Sequence, residues 1–284
     1  MAGIDLQVNP TLTDSGLSVN LKNMEPWWGT AQLKEDVWYR AVVYGAAVYL
    51  RRSRSQWTAA YTDIRWNKAF AESSPAAEYA AGPPPGAVCS HIRANVPGGE
   101  ISLGPFFESK AFLVKTALPG ALKIFPGAEA AIALELPPSV YIGAELALFS
   151  INPFVLKETW YGENTMKGIF AYSLESSLVR DAGIHCPLLL KNKSRTPVVL
   201  DHLLFYPELS IYERRAENSR SLCTSTVIID LFANGEGRLS TRPPGKDPFR
   251  EKGSKDEYTL LSTDAKTAGD KPIKKGARII TYGR

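Results

Sequence analysis

Two pairs of cysteine and histidine residues offer the ligand types of a zinc site. Cys89 and His91 are two positions apart, so in a strand they lie on one face, and the adjacent His185 and Cys186 supply two further ligands. Adjacent strand residues point to opposite faces, so His185 and Cys186 can converge only at a bulge or a turn. The alternative is that all four are hydrogen-bonded histidines and free thiols without a metal.

A second candidate is the aromatic and polar segment "KETWYGENTMKGIFAYSLES", residues 157–176. Trp160 and Tyr161 could line a groove for a sugar or another planar ligand, with Glu163 and Asn164 supplying hydrogen bonds. The same segment fits a hairpin, because its alternating aromatics are typical of strands that fill a core and its polar middle is typical of a turn. We favour the hairpin.

A third candidate mixes arginine with tryptophan, a combination that can stack on and neutralise single-stranded nucleic acid. Its members are Arg51, Arg52, Arg54, Trp57, Arg65, Trp66 and Lys68. The same residues fit a solvated hairpin tip. The chain has 33 basic and 29 acidic residues, a net charge of +4, which is too slight to indicate nucleic acid as the partner. We therefore favour the hairpin tip.

His202 is the remaining candidate base. Strand alternation in "VVLDHLLFYP" places His202 on the face of Leu200 and Leu204, and Asp201 on the opposite face. The pattern therefore predicts a half-buried histidine with a hydrogen-bond partner and no local Asp201–His202 dyad.

Familiar catalytic and cofactor motifs are absent from the sequence. It has no G-x-S-x-G elbow, no phosphate loop and no dinucleotide fingerprint, and we expect no cofactor. Its three cysteines, Cys89, Cys186 and Cys223, are odd in number and widely spaced, which favours reduced thiols. No secretion signal or apolar run long enough to span a bilayer is evident, so we expect a cytoplasmic protein.

The elements that must position these residues are predicted to be strands. Short apolar or alternating runs separated by Gly, Pro, Asn and Asp indicate an all-β protein with very little helix. Residues 36–52 form either one central strand or two strands joined near Gly45. Asn234-Gly235 predicts a type I′ hairpin turn. A short helix is predicted only within residues 67–82, where Pro75 limits it.

Proline and glycine divide the chain. Residues 81–86, "AGPPPG", predict an exposed link between strands, and the breaks within residues 116–130 favour a domain boundary near residue 120. We therefore expect two sandwich-like units of the jelly-roll or immunoglobulin kind, residues 1–120 and residues 121–284.

The order of four segments resembles the domain-of-unknown-function family 432. The segments are "ELPPSVYIGA", "WYG", "KGIFAYSLESS" and "LLLKNKSRTPVVLDHLLFYPELSIYE", and the resemblance covers roughly residues 137–232. It implies no known reaction, so no catalytic residue carries over. It implies framework roles for residues that match the pattern, which are Tyr161, Gly162, Gly168, Tyr172 and Asn192.

Two functional hypotheses remain. The first is a non-enzymatic binding or interaction module that uses an edge strand or the Trp160–Asn164 and Arg238–Lys255 loops to hold a protein or a small polar ligand. The alternative is a carbohydrate-active or metal-assisted hydrolase whose site assembles only in three dimensions. Exposed sheet edges also make us expect a homodimer.

Overall fold

A computed structural model describes residues 26–65, 72–107, 113–143, 147–155, 159–161, 167–170, 183–205, 209–216, 219–244, 256–262 and 279–281. Within these ranges the chain forms strands and one short 3-10 turn at Pro97–Gly99. The predicted all-β fold is confirmed. None of the helices in the described ranges is long and apolar enough to cross a membrane.

The strands are β1 (Gly29–Gln32), β2 (Trp38–Val43), β3 (Ala46–Ser53), β4 (Gln56–Tyr61), β5 (Ile64–Arg65), β6 (Ser74–Glu78), β7 (Val88–Arg93), β8 (Glu100–Phe106), β9 (Leu113–Ile124), β10 (Glu129–Leu136), β11 (Ser139–Gly143), β12 (Ala147–Ile151), β13 (Phe154–Val155), β14 (Thr159–Tyr161), β15 (Lys167–Phe170), β16 (Ile184–Asn192), β17 (Val198–Phe205), β18 (Ile211–Ala216), β19 (Ser219–Thr224), β20 (Thr226–Leu231), β21 (Glu236–Arg242), β22 (Glu257–Ser262) and β23 (Ile279–Thr281).

A five-stranded antiparallel sheet, ordered β6-β2-β3-β4-β7, forms much of the N-terminal part. Residues 36–52 contain two strands joined near Gly45, which is the second of the two arrangements that the sequence allowed. They join at Tyr44 and Gly45, whose φ angles of 45° and 84° are both positive, as a type I′ turn requires. Tyr44 is a costly residue for this conformation, and its ring packs edge-on against Trp27 at 6.4 Å.

The predicted helix is wrong in its described part. Residues 74–78 form the edge strand β6, which pairs only with β2 in the five-stranded sheet. Pro75 fits there because an edge strand leaves some backbone N–H positions outside the ladder. Residues 66–71 lie outside the described ranges.

A four-stranded sheet, ordered β1-β8-β11-β12, takes strands from both sides of residue 120. Residue 120 itself lies inside β9, and the pairing of β9 with β17 shifts register between Leu122 and Ala117. Pro119 and Gly120 therefore sit in an irregularity of a continuing strand. The two prolines after Leu136 form a corner, since β10 and β11 belong to different sheets.

The largest sheet runs β14-β15-β9-β17-β23-β21-β20-β16-β19-β18-β22, with β10 paired to the other side of β16. Its strands enclose one hydrophobic core, which includes Ile132, Leu134, Leu188, Leu200, Phe205 and Ile229. A separate core lies in the N-terminal part and includes Trp27, Trp57, Val48, Ile101 and Val140. The two cores position the turns that connect the strands.

Candidate binding surface

Three turns of the large sheet lie together at one end of its core. They are residues 125–128 between β9 and β10, residues 193–197 between β16 and β17, and residues 232–235 between β20 and β21. They meet because β16 pairs with β10 on one side and with β20 on the other, so the corresponding strand ends are adjacent. We call this surface the three-turn end.

The first turn follows from the sequence Phe125-Pro126-Gly127-Ala128. The Ala128 N–H donates to the Phe125 carbonyl at 3.0 Å, and Gly127 has φ +73°. Proline followed by a residue with positive φ is the signature of a type II turn. The chain is thereby reversed tightly, and Phe125 is left at the surface with 58% exposure.

Asn192 joins the first turn to the second. It is 1% exposed, and its Nδ2 group donates to the carbonyl oxygens of Ile124 at 2.9 Å and Thr196 at 2.8 Å. Its Oδ1 accepts from the Ser194 N–H at 2.8 Å. In the backbone, the Gly127 N–H donates to the Asn192 carbonyl, and the Asn192 N–H donates to the Ala128 carbonyl. One buried amide therefore fixes both turns, which fits the framework role that the family resemblance implies for Asn192.

The third turn is tied to the second by the Lys193 N–H, which donates to the Leu231 carbonyl at 2.9 Å. The predicted hairpin at Asn234-Gly235 is confirmed, but the predicted type I′ turn is wrong. Only Gly235 has positive φ, 80°, and the closing bond runs from the Phe232 N–H to the Glu236 carbonyl. The extra residues arise because Asn234 Oδ1 accepts from the Glu236 N–H, a local bond that favours a longer loop.

The three-turn end exposes apolar and basic side chains side by side. Phe232 is 39% exposed, and the Lys123 ammonium lies 5.2 Å from the centre of the Phe125 ring. Lys193 and Arg195 are exposed on the second turn. Such a surface can bury aromatic rings and pair with negative charge at the same time.

An ion pair borders this surface and does not involve its other basic residues. Lys191 Nζ lies 2.5 Å from Glu129 Oε1, so these two charges offset one another. Within the described ranges, no ion pair involves Lys123, Lys193 or Arg195.

The four residues of the zinc hypothesis lie on two different sheets. Cys89 and His91 are exposed on β7, and the His91 ring is 2.9 Å from the Thr58 hydroxyl. His185 and Cys186 are on β16, where Cys186 is fully buried. The structure does not bring the four together, and the described residues hold no group of three or more His, Cys, Asp or Glu arranged to bind a metal ion.

Arg51, Arg52 and Arg54 of the nucleic-acid hypothesis lie at or near the tip of the β3–β4 hairpin, as the alternative interpretation predicts, whereas Arg65 lies on β5. Arg51 is 3.2 Å from Asp36 and lies over Trp38, while Arg52 lies over Trp57.

Trp57 itself is 2% exposed and donates to the Ala94 carbonyl, so it is not an open stacking platform. For Arg65 only the backbone is described, and Trp66 and Lys68 lie outside the described ranges.

The hairpin predicted around Trp160 is present in the backbone. Trp160 pairs with Gly168 and Tyr161 with Lys167 across β14 and β15. The positions of Glu163 and Asn164 lie outside the described ranges, as do the side chains of Trp160 and Tyr161. The loop predicted at residues 238–255 begins later than expected, because residues 238–242 belong to β21, and residues 245–255 are not described.

The prediction that Asp201 and His202 cannot meet is wrong. Asp201 Oδ1 and His202 Nδ1 are in direct contact, with both side chains partly exposed. The pairing of β17 with β9 changes register between Leu200 and His202. Simple alternation fails at this irregularity, so neighbouring side chains are able to approach one another.

A buried carboxylate lies on β18, away from the three-turn end. Glu213 is 2% exposed and contacts the guanidinium groups of Arg215 and Arg220. Burial acts to raise the pKa of Glu213, but hydrogen bonds and charge from the two arginines outweigh it, and the pKa lies below its usual range. The nearby Arg214 pairs with Asp256 at 2.6 Å and joins β18 to the start of β22.

The three-turn end was missed by sequence reasoning. Phe125 directly precedes the turn signal Pro126-Gly127, and Phe232 lies two residues before Asn234-Gly235. An apolar residue this close to a turn is a signal that could have identified them. What the sequence does not contain is the long-range pairing that sets the two turns at the same end of one sheet.

Comparison with known protein families gives a match. A family model described as a protein of unknown function (DUF432) matches residues 27–269, a wider range than the resemblance noted in the sequence. No curated protein and no solved structure matches the chain.

Proposed function

The chain belongs to the DUF432 family of proteins of unknown function, and we propose that it is a binding module that holds an acidic, partly apolar segment of a partner protein on its three-turn end. The observation that carries the proposal is the pair of exposed rings, Phe125 and Phe232, on turns fixed by the buried Asn192. Large apolar side chains exposed on a fixed surface favour a role in recognition.

The rigidity of the surface supports binding. Side chains and loops that must be ordered on association reduce affinity, by about 0.5–1.5 kcal/mol for each flexible side chain. The turns that carry Phe125 and Phe232 are already bonded to each other through Asn192 and Lys193. Their ordering therefore precedes partner binding, and more of the interaction energy is retained.

The charge of the surface supports an acidic partner. Lys123 lies over the Phe125 ring, Lys193 and Arg195 are exposed on the second turn, and cations beside an apolar patch attract and orient carboxylates. Glu129 and Glu236 stand among them and oppose a uniform polyanion such as nucleic acid. A peptide that alternates carboxylates with apolar side chains satisfies both the rings and the cations.

Fluorescence anisotropy with labelled synthetic peptides tests this proposal. The probes are a peptide of alternating Glu and Leu, the same peptide with Gln for Glu, one with Lys for Glu, and an oligothymidine of similar length. We expect the Glu-Leu peptide to bind most tightly and to bind more weakly as salt is added, because exposed charge pairs are screened.

Variants locate the binding surface. The F125A/F232A double variant should weaken binding of the Glu-Leu peptide by about tenfold or more, since each truncated ring removes apolar contact of about 1 kcal/mol or more. The matched control is L260A/L261A on β22, which truncates two other exposed apolar side chains and should leave the affinity unchanged. Equal losses in the two double variants, or tighter binding of oligothymidine than of the Glu-Leu peptide, would contradict the proposal.

A further inference from the structure

Three residues that are far apart in sequence lie in one row across the large sheet. Glu135 of β10 is paired with His185 of β16, and His185 is paired with Cys223 of β19. On its other side Cys223 is paired with Tyr212 of β18, a further titratable group that faces the thiol. Paired residues on neighbouring strands point to the same face, with Cβ atoms about 5 Å apart. The imidazole of His185 is therefore flanked by a carboxylate on one side and a thiol on the other.

The row lies on the face of β10 and β16 opposite to the hydrophobic core. Leu134 and Cys186, the sequence neighbours of Glu135 and His185, point into that core and are fully buried. Glu135 is 4% exposed and Cys223 is 6% exposed, whereas His185 is partly exposed. A carboxylate and a thiol are thus shielded from bulk water on either side of the ring, where electrostatic interactions are stronger than in water.

This order of groups is the order needed to activate a thiol. A histidine beside a cysteine can take the thiol proton, and a carboxylate on the other side of the ring holds the imidazole in place and stabilises its charged form. We infer that Glu135, His185 and Cys223 form a thiol site in which the Cys223 thiolate attacks a small carbon electrophile.

The proposed step is balanced. The Cys223 thiol proton passes to a ring nitrogen of His185, and the Cys223 sulfur then forms a bond to the electrophilic carbon. The bond from that carbon to its leaving group breaks, and the leaving group departs with the electron pair. Glu135 holds the imidazolium that results, so its role is positioning and that of His185 is general base. The shielding of Cys223 restricts the electrophile to small molecules.

Cys186 gives an internal contrast. It is the sequence neighbour of His185 but points to the other face, it is fully buried, and burial raises the pKa of its thiol to about 12. Adjacency in sequence suggests that His185 acts with Cys186. In the fold, His185 instead faces Cys223 on the neighbouring strand. Cys186 should not react in the folded protein, so its labelling reports unfolding.

Alkylation by iodoacetamide between pH 6.5 and 8.5, followed by peptide mass spectrometry, tests the inference on the full chain. An ordinary thiol with a pKa of about 8.5 reacts about 50-fold faster at the upper end of this range, following its thiolate fraction. We expect the Cys223 rate to change by less than about threefold, because a proton already held by His185 leaves the sulfur ionised at both pH values. Comparison of rates at one site across pH cancels the effect of restricted access.

Two variants complete the test. H185Q should restore the steep pH dependence of an ordinary thiol at Cys223, and E135Q should give an intermediate profile. Absence of Cys186 labelling in each variant shows that the fold is retained. A steep profile in the unaltered protein, no alkylation of Cys223 in the native state, or an unchanged profile in folded H185Q would each overturn the inference.

Discussion

At the residue scale, Asn192 shows how one side chain can organise a surface. Its amide group donates twice and accepts at least once, to atoms on two different turns. Aspartate has the same shape but cannot donate, and alanine can do neither. Only an amide of this length satisfies the carbonyl oxygens of Ile124 and Thr196 together with the Ser194 N–H.

Asn192→Ala should therefore lower the free energy of unfolding by about 2–4 kcal/mol, since it leaves buried carbonyl groups without their donor. Asn192→Asp should be destabilising as well, because the carboxylate faces the carbonyl oxygens that the amide donates to. Urea denaturation measures both. A loss below about 0.5 kcal/mol for Asn192→Ala would show that Asn192 does not hold the turns.

Glu213 makes the free energy of unfolding depend on pH, and its lowered pKa fixes the direction of that dependence. Its pKa is lowered in the folded state, so its contribution to stability is present above the ordinary carboxyl pKa and is lost as pH falls through the lowered folded-state value. The stability difference between the unaltered protein and Glu213→Gln should therefore shrink as the pH falls from 6 towards 3. Urea denaturation at several pH values measures the difference, and Arg220→Gln should reduce the same pH dependence. A difference that grows towards low pH would contradict the ion-pair account.

At the element scale, three glycines allow the cost of an unfavourable backbone angle to be distinguished from the cost of a steric clash. Gly127 has φ +73° and open space where a Cβ would lie. Gly99 has φ +75°, and a Cβ there would lie 2.6 Å from the Leu33 carbonyl oxygen, whereas Gly104 has neither constraint. The three positions therefore form a graded series for substitution by alanine.

We expect Gly104→Ala to be neutral or slightly stabilising and Gly127→Ala to lower stability by about 1–2 kcal/mol. Gly99→Ala should lower it by more, about 3 kcal/mol, because the backbone must shift as well. Thermal and urea denaturation of the three variants give the order. Equal losses at Gly99 and Gly127 would show that contact with Leu33 contributes nothing.

Local chemistry predicted the strands well and their turns less well. The β20–β21 hairpin was predicted from its Asn-Gly pair and the β3–β4 hairpin from its basic tip, and both could be predicted because each pairs residues close in sequence. The type I′ turn formed at Tyr44-Gly45, where packing against Trp27 supports an unfavourable backbone, and it did not form at Asn234-Gly235. Residues 74–78 were misread because Ala and Glu favour helix locally, while pairing with β2 decides the outcome.

At the scale of the whole molecule, the sheets are not separated along the chain. The strand β8 pairs with β11, and the N-terminal core includes Ile184, Ile211 and Leu222 from the C-terminal half. Sequence patterns cannot reveal such pairings, since they depend on residues more than 30 positions apart. The row of Glu135, His185 and Cys223 and the three-turn end escaped prediction for the same reason.

Because the four-stranded sheet takes strands from both halves of the chain, we expect the two cores to unfold cooperatively. In a Trp66→Phe and Trp160→Phe background, the remaining tryptophans, Trp27, Trp28, Trp38 and Trp57, report the N-terminal part. Cys186 alkylation reports the second core. The two urea transitions should coincide, because loss of either core breaks strands that the other needs. Midpoints separated by more than about 1 M urea would instead indicate two independently stable units.

The claim that the three-turn end is the binding surface is tested most directly by nuclear magnetic resonance. Titration of the unlabelled Glu-Leu peptide into nitrogen-15-labelled protein reports, residue by residue, which backbone amides change environment. The account predicts that the largest shifts fall at Gly127, Ser194 and Asn234, with small shifts at the β3–β4 tip around Arg54. Shifts concentrated at that tip, or none at a peptide concentration of about 1 mM, where binding of about 4 kcal/mol would be detected, would contradict it.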